Sequence, residues 1–380
     1  MKEETIKGQE ETSQVFLCSG CGGNMEFDVS VQRLKCHYCG TEMDIQSEET
    51  IKEYDFDDVV ELEKESEWNA EVNVVKCDAC GAETVIGKDE TAVLCSYCGS
   101  SHVLESKQSA GIKPEAILPF KVDKHKAKEL FQKWIARRWL APGHLKHLYQ
   151  SEKLISVYIP YWTYDSNVFA TYTAQGGKHY YQTVVRDGKR TRVRKTRWYT
   201  VRGRISKFFD DVLVNASKNY DDNLMNKIEP FDTKELEPYK PQYISGHTAE
   251  RYSRDVVEGF NFAKEKMETI LKEDVKKQVL RHYNDVRNIM LKARYTDVKY
   301  KHVLLPVWTS QYEFNNKKYR YMINGQTGKV CGKSPVSWAK IGIIAGVAVA
   351  AVLAFIFLTG DASTSSQTAM AYHQWIGSIV

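Results

Sequence analysis

The sequence predicts several domains in one chain: two small β units, a larger α+β region and one membrane-spanning helix near the C-terminus. Three observations lead to this fold class. Eight of the nine cysteines fall into two copies of one pattern, the middle of the chain alternates strand-like and helix-like segments, and an uncharged apolar run lies near the C-terminus. A length of 380 residues agrees with two or three domains.

The cysteine pattern is Cys-x2-Cys-x14-Cys-x2-Cys, with glycine after every second cysteine, as a tight turn at positive φ prefers. Its members are Cys18, Cys21, Cys36 and Cys39 in the first copy and Cys77, Cys80, Cys95 and Cys98 in the second. Four thiolates satisfy zinc tetrahedrally, and units this small depend on metal for most of their folding energy. The sequence therefore predicts two structural zinc ions, one in each of two β zinc ribbons.

Disulfides and a redox pair are the competing readings of this pattern. Disulfides need an oxidising compartment, whereas the charge distribution described below predicts a cytosolic location. A redox Cys-x-x-Cys pair normally sits between a strand and a helix, and four copies in two matched sets do not fit that context. Because each set supplies four ligands, neither leaves a position for a substrate, and catalytic zinc is not expected.

The remaining domain boundaries follow from composition. We expect a disordered N-terminus over 1–16, zinc ribbon 1 over 17–46, an acidic linker over 47–73, zinc ribbon 2 over 74–104 and an α+β membrane-proximal domain over 112–335. The linker is predicted to be solvated. In the α+β domain, apolar residues at helical spacing predict a long helix from about 255 to 284. Three apolar-Pro motifs, at 118–120, 159–163 and 305–309, hint at a duplicated unit.

The uncharged run over 341–358 would span about 27 Å as a helix, close to the thickness of a bilayer core. It predicts a transmembrane helix over 341–359. Lys329, Lys333 and Lys340 precede the run, and no Lys or Arg follows it. The positive-inside rule then predicts a single-pass cell-membrane protein with its N-terminal bulk in the cytoplasm and an extracytoplasmic tail over 360–380. We also expect no cleavable signal peptide, because the N-terminus lacks an apolar core.

Small residues recur at every fourth position of this run: Gly342, Gly346, Ala350 and Ala354. Such a stripe lets two helices approach closely, which makes homo- or hetero-oligomerisation through the membrane helix one hypothesis. The alternative is that glycine and alanine are simply common in membrane spans.

The formal net charge is only +4, but the basic residues cluster over 186–207. Alternation along a strand would place them on shared faces: Arg190, Arg192 and Arg194 in one set, Arg202 and Arg204 in the other. We leave three interpretations open, namely a solvated hairpin, contact with anionic lipid or an acidic protein, and nucleic-acid binding. The sequence shows no phosphate-binding loop, His-Glu-x-x-His or nucleophile elbow, so we expect no enzymatic activity.

Further motifs follow the ribbons in a fixed order. They are ILPF at 117–120, IPYWT at 159–163, FFDDVLV at 208–214, HVLLPVW at 302–308 and NGQTG at 324–328. Over about residues 15–360 the chain resembles the bacterial YdjG-type membrane-anchored double zinc-ribbon proteins. That family carries a TFIIB-type zinc ribbon and is often labelled primosomal or helicase-like, a label that does not transfer because this chain lacks helicase motifs.

The resemblance implies a non-catalytic membrane adaptor in a phage-shock-like envelope stress response. Its zinc ribbons would recruit cytosolic proteins such as PspA-like coat proteins. The alternative hypothesis is a membrane-tethered nucleic-acid-binding protein related to replication or transcription, with the ribbons or the arginine-rich hairpin as the contact. Salt-dependent binding to DNA or RNA distinguishes the two.

Overall fold

The computed structural model describes most of the chain. The described residues are 16–23, 25–45, 49–59, 73–76, 83–86, 106–107, 112–138, 140–142, 154–186, 189–314, 317–335, 337 and 339–357. The chain divides into two compact units. The first comprises Met1–Leu130, Ser151–Gln311 and Arg320–Gly332, and the second Phe131–Gln150, Tyr312–Tyr319 and Lys333–Val380.

The first ribbon is a three-stranded antiparallel sheet within the first unit. Its strands are β1 Met25–Asp28, β2 Arg33–Cys36 and β3 Glu42–Met43, in the order β1-β2-β3. Met25, Phe27 and Leu34 are buried, and Phe27 pairs directly with Leu34. An antiparallel β1–β2 hairpin therefore joins the two cysteine pairs. Alternation of buried and exposed positions along β1 gives this small sheet one apolar face.

Three very long strands dominate the larger sheet: β9 Ile155–Arg186, β10 Lys189–Asn215 and β13 Asp285–Phe314. β9 pairs antiparallel with β10 on one side and with β13 on the other. Its 32 residues would extend roughly 100 Å at the usual rise per residue. β10 and β13 continue through β-bulges, which lie between Phe209 and Val212 and between Thr296 and Lys299.

Short strands complete this sheet. They are β4 Tyr54–Asp55, β5 Asn73–Lys76, β6 Glu83–Ile86, β7 Ser106–Lys107, β8 Ala116–Ile117, β11 Glu237–Pro238, β12 Thr248–Glu250, β14 Lys317–Asn324 and β15 Val330–Gly332. The main path runs β11-β8-β13-β9-β12-β6-β5-β7, while β10, β14, β15 and β4 lie off it. The contacts β8–β13 and β12–β9 are parallel. Strands from both sides of the second cysteine motif are thus part of the sheet.

The helices are α1 Lys124–Ala136, α2 Asp222–Ile228 and α3 Val256–Leu280, with 3-10 turns at Phe56–Asp58, Thr233–Glu235 and Pro241–Ile244. α3 confirms the long helix predicted from periodicity. The Asp255 carboxylate caps its N-terminus by accepting from the Glu258 N–H at 2.7 Å. Its buried stripe, which includes Phe260, Met267 and Val275, covers one face of the β10-β9-β13 sheet.

The three apolar-Pro motifs meet at the centre of the sheet. Pro160 pairs with Leu304 across β9 and β13, and the Leu118 N–H donates to the Leu304 carbonyl at 2.9 Å. Their aromatic residues fill the core: the Phe120 ring lies 5.2 Å from that of Trp308, whose indole N–H donates to the Val122 carbonyl. The shared motif therefore marks three adjacent segments of one core.

Residues 49–59 of the acidic linker pack on the domain, in contrast to the solvated segment expected. β4 pairs with β13 at Tyr300, and the Tyr54 hydroxyl donates to Glu115 at 2.6 Å. The Phe56 ring lies 4.7 Å from the Phe260 ring, tilted by 46°, and Val59 is buried. Apolar residues scattered among the acidic ones thus attach this segment to the core, which a count of charges does not reveal.

An ionic cluster also holds this segment. The buried Lys301 ammonium lies 2.9 Å from Glu53 of the linker and 2.7 Å from Asp211 of β10. Asp165 lies beside them, and burial raises the pKa of its carboxyl to about 6. Lys301 therefore compensates closely spaced acidic groups on three separate segments.

We predict that Lys301→Met lowers the free energy of unfolding by roughly 3 kcal/mol, because it leaves buried carboxylates without their cation. Urea denaturation of the full chain in detergent, followed by tryptophan fluorescence, measures the change. Lys299→Met is the matched control, since Lys299 lies two residues away on the same strand with an exposed side chain. Equal effects of the two substitutions would contradict the role given to Lys301.

In the second unit, helix α4 spans Ala339–Phe357 with a mean hydropathy of 2.5, and none of this span is buried. It is long and apolar enough to cross a membrane. Just before α4, the Ser337 N–H donates to the Leu140 carbonyl at 2.9 Å, and within its first turn the Lys340 ammonium donates to the Ala141 carbonyl at 2.6 Å. The tail predicted over 360–380 lies outside the described residues, as does the N-terminal segment before residue 16.

Candidate metal centre

Two matching turns present the cysteines of the first ribbon. The Gly22 N–H donates to the Cys18 carbonyl at 2.8 Å, and the Gly40 N–H donates to the Cys36 carbonyl at 2.9 Å. Both glycines have positive φ, at 74° and 78°, a conformation that costs glycine little and other residues more. The glycine after each cysteine pair therefore has the conformational role inferred from the sequence.

The four thiol sulfurs converge on one point. Cys18 and Cys39 have sulfurs 3.4 Å apart, as do Cys21 and Cys36, and all four sulfurs lie within 4.8 Å of one another. Sulfurs bound tetrahedrally to zinc at about 2.3 Å would be separated by roughly 3.8 Å. The spacing fits a shared metal ion, and no disulfide joins these cysteines. The group could hold one metal ion with four protein ligands.

The electrostatics of the group also favour a cation. The Thr41 hydroxyl, 3.2 Å from the Cys39 sulfur, and the Thr41 backbone N–H hold the pKa of Cys39 down at about 6. The Gly23 N–H acts to lower the pKa of Cys21, but hydrogen bonds with the Cys39 and Cys36 sulfurs outweigh it and raise that pKa to about 12. Four thiolates this close repel one another, and a bound cation would remove that repulsion.

His37 lies outside the four-cysteine group. Its Nε2 is 3.0 Å from the Glu26 carboxylate, and its side chain is largely exposed. The ligands predicted for the second ribbon, Cys77, Cys80, Cys95 and Cys98, lie outside the described residues. Only the neighbouring strands β5 and β6 are described there, paired antiparallel from Asn73–Ile86 to Lys76–Glu83.

One side of the first ribbon is docked on the α+β domain. The Phe27 N–H donates to the Ser245 carbonyl at 3.1 Å, and the Ser245 hydroxyl donates to the Met25 carbonyl at 2.8 Å. The Phe27 ring meets Tyr243 edge-on at 5.4 Å. Backbone hydrogen bonds and aromatic packing therefore hold the predicted ribbon on the α+β domain.

His247 lies at the centre of this docking contact. Its ring stacks on Phe120 at 4.7 Å and lies 6.2 Å from Phe27, while its Nδ1 is 2.8 Å from the Ser156 hydroxyl. Burial lowers the pKa of His247 to about 4, so the imidazole is neutral near pH 7.

Apolar side chains are exposed on the same ribbon. The exposed fractions are 82% for Tyr38, 61% for Leu17 and 42% for Met43. Leu17 and Tyr38 adjoin ligands Cys18 and Cys39 in the chain. The ribbon therefore has a docked side and a metal-proximal region with free apolar side chains.

The predicted basic residues all lie on β10 and are exposed: Arg190, Arg192, Arg194, Arg202 and Arg204. The structure separates them into two groups along the strand. Residues 189–195 are exposed on both faces, whereas Arg202 and Arg204 share one sheet face with Lys292 and Arg294 of β13. Sequence reasoning missed the β13 pair, although its own alternation over 290–295 was a usable signal.

The small residues predicted to pack membrane helices lie on α4. A Cβ added at Gly342 or at Gly346 would meet nothing within 4 Å, so both positions are open. Ala350 and Ala354 continue the spacing on the exposed helix. Pairing through this stripe stays a prediction.

These features define a multidomain, β-rich protein with a four-cysteine group able to hold a metal ion and a helix able to cross a membrane. The chain is 29% identical over 354 residues to the uncharacterized protein YdjG of Bacillus subtilis (strain 168), covering 91% of this chain and 98% of that protein. No protein-family model and no solved structure matches the chain.

We predict that Cys36→Ser lowers the metal content of the purified full chain by one ion per molecule, because three thiolates hold zinc far less tightly than four. Inductively coupled plasma mass spectrometry measures the loss. Cys331→Ser is the matched control, since Cys331 is buried and lies outside the four-cysteine group. Unchanged metal content in Cys36→Ser would show that this group holds no ion.

We predict a pH dependence from His247. Its folded pKa of about 4 lies below the unfolded value, so the unfolded state takes up the proton first as pH falls. Stability is therefore complete above about pH 6.5 and declines towards pH 4, by at most roughly 3 kcal/mol. Urea denaturation of the full chain across this pH range measures the decline, which should be smaller in His247→Phe. An identical pH profile for both proteins would contradict it.

Proposed function

We propose that the chain is a membrane-anchored, non-catalytic adaptor whose zinc ribbons recruit cytosolic proteins. The exposed apolar side chains beside the four-cysteine group carry this proposal. A zinc ion with four thiolate ligands has no open position for substrate, so it would act as a structural staple. A metal-bound ribbon would present the Tyr38 and Leu17 side chains to solvent. Exposed large apolar side chains often mark protein-binding surfaces.

Helix α4 supports the anchoring part of the proposal. Its apolar length suits a single membrane crossing, and the lysines before it favour an orientation with the ribbons in the cytoplasm. The second cysteine set would hold a second zinc ion by the same chemistry. Tethering confines the ribbons to the membrane surface, where a recruited protein would gain effective concentration.

The similarity to YdjG extends over nearly the full length of both proteins, which is consistent with a shared domain organisation. An envelope stress role with PspA-like coat proteins as partners is the specific form of the proposal that the sequence resemblance suggests. The docked ribbon adds a structural reason for specificity, because a fixed orientation presents one defined surface to a partner.

We predict that Leu17→Ala combined with Tyr38→Ala weakens partner binding about tenfold, as loss of a central aromatic contact typically does. In-cell crosslinking of the full chain followed by mass spectrometry identifies the partner, and titration of that partner onto the membrane-bound chain measures affinity. The matched control is Tyr181→Ala with Val185→Ala, a pair on the β9 end with exposed fractions of 62% and 68%.

Partner binding should also depend on the four-cysteine group. Cys36→Ser should lower the affinity for the same partner at least as much as the double alanine variant does, because the metal ion that stabilises the ribbon is lost. A partner that binds the parent chain, the double variant and Cys36→Ser equally well would overturn the assignment of the first ribbon as the recruiting site.

A further inference from the structure

The β10-β9-β13 sheet has two faces of different character. α3 covers one face. On the opposite face, buried residues that include those of α2 pack against Val157, Ile159 and Tyr161 of β9. Further along, over 167–173 of β9 and the residues paired with it, no described residue packs on this side, and we call this region the outer face. The outer face includes the exposed residues Phe169, Arg202, Arg204, Phe208, Met290, Lys292 and Arg294. Strand alternation separates them from Tyr172, Ala174 and Leu291, which contact α3 or its cluster.

The register places these residues in neighbouring rows. Arg204 and Lys292 both pair with Thr171, one from each side, and Arg294 pairs with Phe169. Strands lie about 4.8 Å apart, so the cations of a row are separated by roughly 10 Å. Like charges this close repel one another in the free protein, and a bound anionic surface would relieve that repulsion.

The outer face also combines positive charge with exposed apolar groups. None of its four cations has an acidic partner among the described residues. Phe169 and Met290 share rows with Arg294 and Arg202, and Phe208 lies one row beyond Phe169. Their exposed fractions are 55% for Phe169, 64% for Met290 and 57% for Phe208. The nearby Asp297 lies at the end of the face, where the Asn167 amide donates to it at 3.0 Å. The centre of the face is therefore cationic and apolar.

We infer that the outer face binds the anionic lipid headgroups of the membrane that α4 crosses. Cations attract anionic headgroups, and apolar side chains between them can enter the headgroup region. The outer face is a sheet surface rather than a cleft, which suits a planar partner such as a membrane surface. Because α4 tethers the chain to a bilayer, lipid is always within reach. The inference rests on the anchoring part of the proposed function and does not depend on protein recruitment.

The test uses the full chain in nanodiscs of phosphatidylcholine, alone or mixed with phosphatidylglycerol. Lys292 is the reporter, and its rate of acetylation by a neutral amine reagent is followed by mass spectrometry. Anionic lipid should slow acetylation of Lys292 about fivefold relative to neutral lipid. Lys189 and Lys195, near the β9–β10 hairpin end, report general effects of the lipid on the reagent and should change less.

Two charge-reversed variants with the same change in net charge localise the effect. Arg202→Glu with Arg204→Glu and Arg294→Glu should abolish the slowing at Lys292. Arg190→Glu with Arg192→Glu and Arg194→Glu should preserve it, because those arginines lie beyond the outer face. The reverse pattern, or equal Lys292 rates in both lipids, would overturn the inference.

Further outcomes separate this inference from its alternatives. A single-stranded oligonucleotide that protects Lys292 in neutral nanodiscs more strongly than anionic lipid does would replace lipid with nucleic acid as the ligand. Failure of the chain to co-elute with nanodiscs would overturn the membrane anchor and this inference together. Co-elution with an unprotected Lys292 would overturn the inference alone and leave the recruiting role intact.

Discussion

The pairing of β9 with both β10 and β13 is the interaction on which the rest of the structure depends. These strands bring distant parts of the chain side by side and create the two faces of the sheet. α3 buries its apolar stripe on one face, and the linker strand β4 adds to β13. Without this pairing, neither the buried ionic cluster at Lys301 nor the cationic outer face would have its members in one place.

Two kinds of interaction stabilise the first ribbon, metal binding by its cysteines and docking on the α+β domain. Its own core consists of few apolar residues, too small for independent stability, so the cysteine group supplies a staple once metal is bound. The docking consists of backbone hydrogen bonds and the packing of Phe27 against Tyr243 and His247. A bound metal ion would fix the internal shape of the ribbon, and the docking fixes its position on the domain.

In both the sheet domain and the first ribbon, some apolar side chains are buried in the fold while others are exposed to solvent. In the ribbon, Phe27 is buried by docking while Tyr38 stays in solvent. In the sheet, Tyr172 packs towards α3 while Phe169 projects from the opposite face. Exposed aromatic residues beside the four-cysteine group and beside the clustered cations are the basis of the two proposed surfaces, one for a protein partner and the other for anionic lipid.

Local patterns in the sequence were enough to predict several features. Cysteine spacing predicted a four-sulfur group that the structure assembles in the first ribbon, helical periodicity predicted α3, and a run without charges predicted a helix able to cross a membrane. Each of these signals depends on residues close together in the chain, where spacing alone determines which side chains share a turn, a face or a span.

Only the tertiary structure decided which distant segments meet. Sequence periodicity places Arg204 on a strand face, but it cannot show that Lys292 lies across β9 from it, because strand pairing and register join residues far apart in the chain. For the same reason the docked ribbon and the attached linker were missed: their apolar residues are few, and their burial depends on a surface formed elsewhere. The sequence thus determined the local elements and the metal-binding chemistry, while long-range packing decided which side chains remain exposed to a partner.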